Sequence, residues 1–164
     1  MRTRIAKCAC GQVEVEARGE PIVSLICCCD DCQEAARRIE ALPGAPPVLD
    51  GHGGTPFMLV RKDRVTCTKG EDLLVGHKLK PKSITNRMVA RCCNSAMMIR
   101  FDRGPHWTTM MRDRFGDDAT PLEMRIQTRF APDVPADGIP SYAKFPASLF
   151  ARLIWARIAM LFTR

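Results

Sequence analysis

The chain has 164 residues, 46% hydrophobic and 26% charged, without repeats or low-complexity tracts. That fits one globular domain with a core of its own and excludes a repeat protein or a disordered one. Its net charge of +7 comes from 25 Lys and Arg against 18 Asp and Glu, scattered among few aromatics, so it reads as a solvated basic surface, without the stacking platform expected of a nucleic-acid binder.

In chain order, Thr3 to Ala6, Val13 to Ala17 and Ile22 to Ile26 read as short strands, Val13 and Val15 alternating with Glu14 and Glu16. Gly11, Gly19 and Pro21 punctuate them. Asp30 to Arg37 reads as a helix with acids in its first turn, where the helix dipole favours them. Leu42 to Pro56 is a Gly/Pro-rich loop. Further strands are expected at Phe57 to Val60, Arg64 to Cys67, Leu73 to Leu79, Arg87 to Arg91 and Ala96 to Phe101, with turns at Lys69 to Asp72 and Lys80 to Ser83. One more strand is expected at Met124 to Phe130. A Pro/Asp-rich link over residues 131–145 leads into an apolar helix over 146–164, so the body is a mainly antiparallel β domain spanning 1–130. The last helix is short for a membrane span, which usually takes about 20 apolar residues, and Arg152 and Arg157 interrupt it. It is expected to dock on its own domain or on a second copy in a homo-oligomer, with an in-plane membrane helix as the alternative.

The chain has 9 cysteines, an odd number, and the opening MRTRIAKCAC lacks the apolar stretch of a secretory signal. Both points argue for a reducing cytoplasm, where clustered cysteines more often hold metal than pair in disulfides. Three groups stand out: Cys8-Ala9-Cys10-Gly11, Cys27-Cys28-Cys29-Asp30-Asp31-Cys32 and Cys92-Cys93-Asn94-Ser95. Thiolates are soft ligands suited to zinc, and Cys8 and Cys10 with Cys92 and Cys93 would supply the four of a structural site. Cys27, Cys29 and Cys32 offer three, leaving the fourth position open as in catalytic zinc. The alternatives are buried free thiols for the first set, and a redox dithiol or an empty remnant for the second. Cys28 and Cys67 read as free thiols.

This wording (CxCG, CxCxxC and a late cysteine pair) resembles the glutathione-dependent formaldehyde-activating enzyme family, which includes the centromere protein V type of domain. The resemblance runs from about Cys8 to about Phe101. It is closest to an uncharacterised bacterial branch that shares CDDCQ (Cys29 to Gln33), HGGT (His52 to Thr55) and a double cysteine before Asn94. It implies a β-tent zinc fold with a short helix after the middle motif. Cys8, Cys10 and Cys92 would hold a structural zinc, and Cys27, Cys29 and Cys32 a catalytic one. It further implies a carbon–sulfur lyase type of reaction joining an aldehyde to glutathione or another thiol. Two departures from the family pattern stand out: Cys28 stands where a His is usual, and Ser95-Ala96 replace a Cys-Gly, so Cys93 would be the fourth ligand.

The loop His52-Gly53-Gly54-Thr55 is a candidate for placing backbone N–H groups on an anionic substrate, with His52 as acid/base. An exposed loop histidine is the plain alternative. Phe101 to Trp107 are candidates for a pocket wall. The leading expectation is a zinc-dependent enzyme handling thiol–aldehyde adducts. A non-enzymatic zinc module for nucleic acid or protein, and a thiol redox or metal-buffering protein, are the competing classes.

Overall fold

The computed structural model describes residues 1–162; Thr163 and Arg164, the end of the expected C-terminal helix, lie outside the described residues. Among the described residues, ten strands form two sheets. Strands β1 (Thr3–Lys7), β2 (Glu14–Arg18) and β5 (Val65–Lys69) make a small antiparallel sheet in the order β1-β2-β5. The large sheet has the order β10-β3-β4-β9-β8-β7-β6, from β3 (Val23–Cys27), β4 (Thr55–Arg61), β6 (Leu74–His77), β7 (Thr85–Ala90), β8 (Ser95–Phe101), β9 (Trp107–Met111) and β10 (Met124–Ile126). Its pairings are antiparallel except β10 beside β3.

The large sheet is the middle of three layers, because the side chains of a strand point alternately to its two faces. Along β4, Phe57 and Leu59 face one core with Ile39, Val48 and Leu149, while Met58 and Val60 face the other with Val13, Val15 and Met97. The first core lies under α1 (Asp30–Glu40) and α2 (Ala147–Phe162), and the second lies between the two sheets. In β2 the alternation of buried Val15 and Ala17 with partly exposed Glu14 and Glu16 follows from having one core face only.

Three expectations need correction. Trp107 to Met111 forms a central strand that periodicity did not reveal, because β9 runs between β4 and β8 with its last four residues buried and so lacks a polar face. The strand beginning at Met124 stops at Ile126, since Gln127 turns left-handed (φ 58°) and Thr128–Phe130 closes a 3-10 turn. Strand β6 ends at His77, before Leu79.

The link over 131–145 does not hang free of the sheet. Arg125 N–H donates to the Pro140 carbonyl, and Tyr142 N–H donates to the Arg125 carbonyl. Helix α2 then crosses back over the large sheet. Its Leu149 is buried in the first core, its Leu153 carbonyl meets His106 Nε2 at 2.8 Å, and Arg152 pairs with Glu123. Ile154, Trp155 and Leu161 remain exposed. Among the described residues no helix is long and apolar enough to cross a membrane.

Candidate metal centre and its groove

The turn after β1 carries Cys8 and Cys10, and it is tightened by Gly11 N–H donating to the Cys8 carbonyl at 3.0 Å. The turn between β7 and β8 carries Cys92 and Cys93, with Asn94 left-handed at φ 53° and its side chain donating to the Pro43 carbonyl. Packing of the two sheets brings these turns together. Sγ of Cys8 lies 3.6 Å from Cys10 and 3.8 Å from Cys92; Cys10 and Cys92 are 3.4 Å apart, and Cys92 and Cys93 are 3.9 Å apart. A tetrahedron of sulfurs ~2.3 Å from a central zinc has edges of about 3.8 Å, so the four thiols fit one ion as they stand. Their surroundings fit as well: Val13 N–H donates to Cys8 Sγ at 3.2 Å, and Ser95 Oγ lies 3.1 Å from Cys93 Sγ while accepting Ala9 N–H. Ser95 thus orients a sulfur instead of supplying one. Burial and then contact with Cys10 push the Cys92 thiol up, whereas hydrogen bonds from Ser95 and Cys10 outweigh burial and hold Cys93 below its ordinary value.

The second group forms where β3 runs into α1. Cys27 ends the strand, Cys29 is the residue before the helix, and Cys32 stands in its first turn. The Cys29 carbonyl accepts Cys32 N–H and Gln33 N–H, which winds the three sulfurs to one side. All three Sγ atoms lie within 4.8 Å of one another, with Cys27 and Cys29 at 3.5 Å. Contacts with Cys27 and then Cys32, with Arg87 adding its charge, hold the Cys29 thiol well below its ordinary value. Contact with Cys29 pushes Cys27 up, and contacts with Cys27 and Cys29 push Cys32 up. Three sulfurs this close cannot all ionise beside one another without a cation between them. Both groups can therefore hold a metal ion, the first with four donors and the second with three.

The second group opens onto a groove of about 420 Å³. Phe101 and Trp107 line it as an edge-to-face pair with centroids 6.1 Å apart, and Leu149, Phe150 and Leu153 of α2 line it too. Arg87 also lines it; the residue is buried, and its Nη2 donates to the Asp31 carbonyl at 3.3 Å.

The other residues singled out in the sequence lie elsewhere. Cys28 points to the opposite side of β3, where Gly54 comes so close that a Cβ there would lie 2.3 Å from Ile26 Cγ2 and 3.3 Å from Cys28 Sγ. The His52–Thr55 loop is folded around Asp50, whose Oδ1 accepts N–H from His52 and Gly54, while Gly53 N–H donates to the Asp50 carbonyl. His52 Nδ1 faces Asp133 at 3.6 Å, and Thr55 pairs with Cys27 across the sheet. None of these four residues lines the groove. Cys67 sits on β5, away from both groups, with its Sγ toward the Lys69 carbonyl. Sequence reasoning passed over Arg87 as a site residue, since only the sheet brings β7 beside α1.

Comparison with known proteins agrees with the motif reading. The signature of the family described as glutathione-dependent formaldehyde-activating enzyme matches residues 3–42. The fold is similar to that in the crystal structure of a Rhodobacter sphaeroides protein, a structural genomics target, with a TM-score of 0.50 and 15% identity over 84% of this chain and 98% of that one. No curated protein matches the chain.

Proposed function

From the glutathione-dependent formaldehyde-activating enzyme signature that this chain carries over residues 3–42, we propose that it is a zinc-dependent enzyme acting on carbon–sulfur bonds. It would catalyse the reversible addition of a thiol to an aldehyde. A carbon–sulfur bond forms between thiol sulfur and carbonyl carbon, and the thiol proton ends on the carbonyl oxygen. Nothing is oxidised or reduced. The observation that carries this reading is the contrast between the two cysteine groups: four sulfurs that close around one point, and three that open onto a groove.

Cys8, Cys10, Cys92 and Cys93 would hold a structural zinc, and Cys27, Cys29 and Cys32 a second zinc. Zinc held by three thiolates keeps an open position and lowers the pKa of the thiol or water that takes it. The chain's own groups do the rest. The start of α1, the positive end of the helix dipole, favours the deprotonated sulfurs of Cys29 and Cys32. Arg87, held by the Asp31 carbonyl, supplies positive charge for the oxygen of the aldehyde as that oxygen becomes negative. Phe101, Trp107 and α2 exclude bulk water from the reacting atoms. His52 and the Gly53–Thr55 loop, turned onto Asp50 and Asp133, are left outside this reading.

The test joins metal content to exchange kinetics. Native protein should carry two zinc per chain and speed thiol–formaldehyde exchange, read by exchange NMR. The Cys29→Ser, Cys32→Ser double variant should keep its far-ultraviolet circular dichroism, carry one zinc and lose the acceleration. Equal zinc in both proteins, or equal exchange rates, would sink the reading.

A further inference from the structure

Beside Cys27, Cys29 and Cys32, the groove is built for hydrocarbon. Its floor is the helix-side face of the large sheet, with Leu25, Phe57, Leu59 and Ile99. One side is the Phe101–Trp107 pair, and another is α2 with the Phe145 that precedes it. The α2 wall is fixed in place by Leu149 in the core, by His106 Nε2 at 2.8 Å from the Leu153 carbonyl, and by Arg152 on Glu123. The cavity is therefore preformed, and about 420 Å³ lies within the range of small-molecule sites.

Its polar groups are few. Among the described residues that line it, Arg87 is the only cation, and one of its nitrogens is already engaged by the Asp31 carbonyl. Asp31 is the only carboxylate, and Thr85 and Thr109 supply the hydroxyls. A glutathione molecule brings two carboxylates and an ammonium at neutral pH. Arg87 can answer one carboxylate and Asp31 the ammonium; the second carboxylate would lose water without gaining a partner, which burial penalises heavily.

We infer that the thiol this groove accepts is apolar, an alkyl or aryl thiol carrying at most one negative charge. Its sulfur would lie toward Cys27, Cys29 and Cys32, and its body against Trp107 and α2. This substrate class rests on the thiol–aldehyde reading above. Each methylene added within the groove should tighten binding about fourfold, the usual return on burying that much apolar surface.

The experiment uses full-length protein with cobalt(II) in place of zinc, and reads the sulfur-to-cobalt charge-transfer band as thiols are added. Alkanethiols from propanethiol to hexanethiol should bind progressively more tightly, and hexanethiol at least tenfold more tightly than glutathione. Phe150→Asp, at a half-exposed groove position, should flatten the chain-length dependence while cobalt content and circular dichroism stay unchanged. Binding that is flat with chain length, or glutathione binding as tightly as hexanethiol, would overturn the inference and leave the thiol–aldehyde reading standing. A charge-transfer band that no thiol shifts would overturn that reading, and the inference with it.

Discussion

Arg125 on β10 grips Asp137 with both ends of its guanidinium, Nη1 to Oδ1 at 2.7 Å and Nη2 to Oδ2 at 2.5 Å. Asp137 lies in the stretch leading to α2, so this two-pronged contact ties that stretch to the edge of the large sheet. Hydrogen bonding to Arg125, helped by the Ile139 N–H, holds the Asp137 carboxyl down at about 2 against an ordinary 3.8.

A carboxyl whose value is depressed on folding stabilises the fold above its unfolded value, and that contribution is lost as pH falls through the folded one. The melting-temperature gap between wild type and Asp137→Asn should therefore be widest above about pH 4 and close by about pH 2. A gap independent of pH would assign the effect to something other than this ion pair.

In the four-sulfur group, Cys10 is exposed and belongs to no apolar core. Cys10→Ser should nonetheless remove one metal equivalent and lower the melting temperature by about 10 °C or more, because metal binding there is folding energy. Cys67→Ser, outside both groups, is the control and should leave metal content unchanged. Equal melting temperatures for Cys10→Ser and wild type would remove this group from the account of stability.

Glu40, the last residue of α1, accepts the N–H groups of Val48 and Leu49 on one oxygen, at 2.7 and 2.9 Å. This pins the long loop so that Val48 can enter the core. Glu40→Ala should cost about 1–3 kcal/mol in urea unfolding, the usual loss when partly buried donors are left unpaired. Amide exchange at Val48 and Leu49 should quicken in that variant more than exchange at Leu59, in mid-strand.

The two faces of α2 should respond differently to truncation. Leu149 is 3% exposed and Leu161 is 67% exposed. Leu149→Ala should destabilise by about 2–5 kcal/mol, as core leucines do. Leu161→Ala should stay within about 0.5 kcal/mol. Comparable losses at both positions would mean that the outward face of α2 is covered in solution.

What could be read in advance followed what local pattern encodes. Val13 and Val15 alternate with glutamates because β2 has one wet face, so that strand was legible; Trp107 to Met111, covered on both sides, offers no alternation to read. Cysteine spacing is a short-range signal, and it marked the residues whose sulfurs converge in the two groups. Arg4 gave no such sign. It is buried in β1 because the Gly19 carbonyl and Glu20 take its guanidinium, and that pairing depends on the β1–β2 register. Of the groove only one wall was legible, the stretch from Phe101 to Trp107; the other exists only once α2 has folded back beside it. The HGGT wording pointed to an anion-binding loop, but the Asp50 carboxylate occupies two of the amides that an anion would need.

The parallel pairing of β10 with β3 sets Met124 beside Leu25 and Ile126 beside Cys27. These partners lie far apart in the chain, and closing so long a loop is among the slow steps of folding. During synthesis, the strand that ends at Cys27 waits for its outer neighbour until the ribosome has released residue 126. Until then Cys28 lacks the Ile126 carbonyl that accepts its N–H, and the junction carrying Cys27, Cys29 and Cys32 has an unpaired edge. Metal capture by the three-sulfur group should accordingly be a late event in the life of the nascent chain.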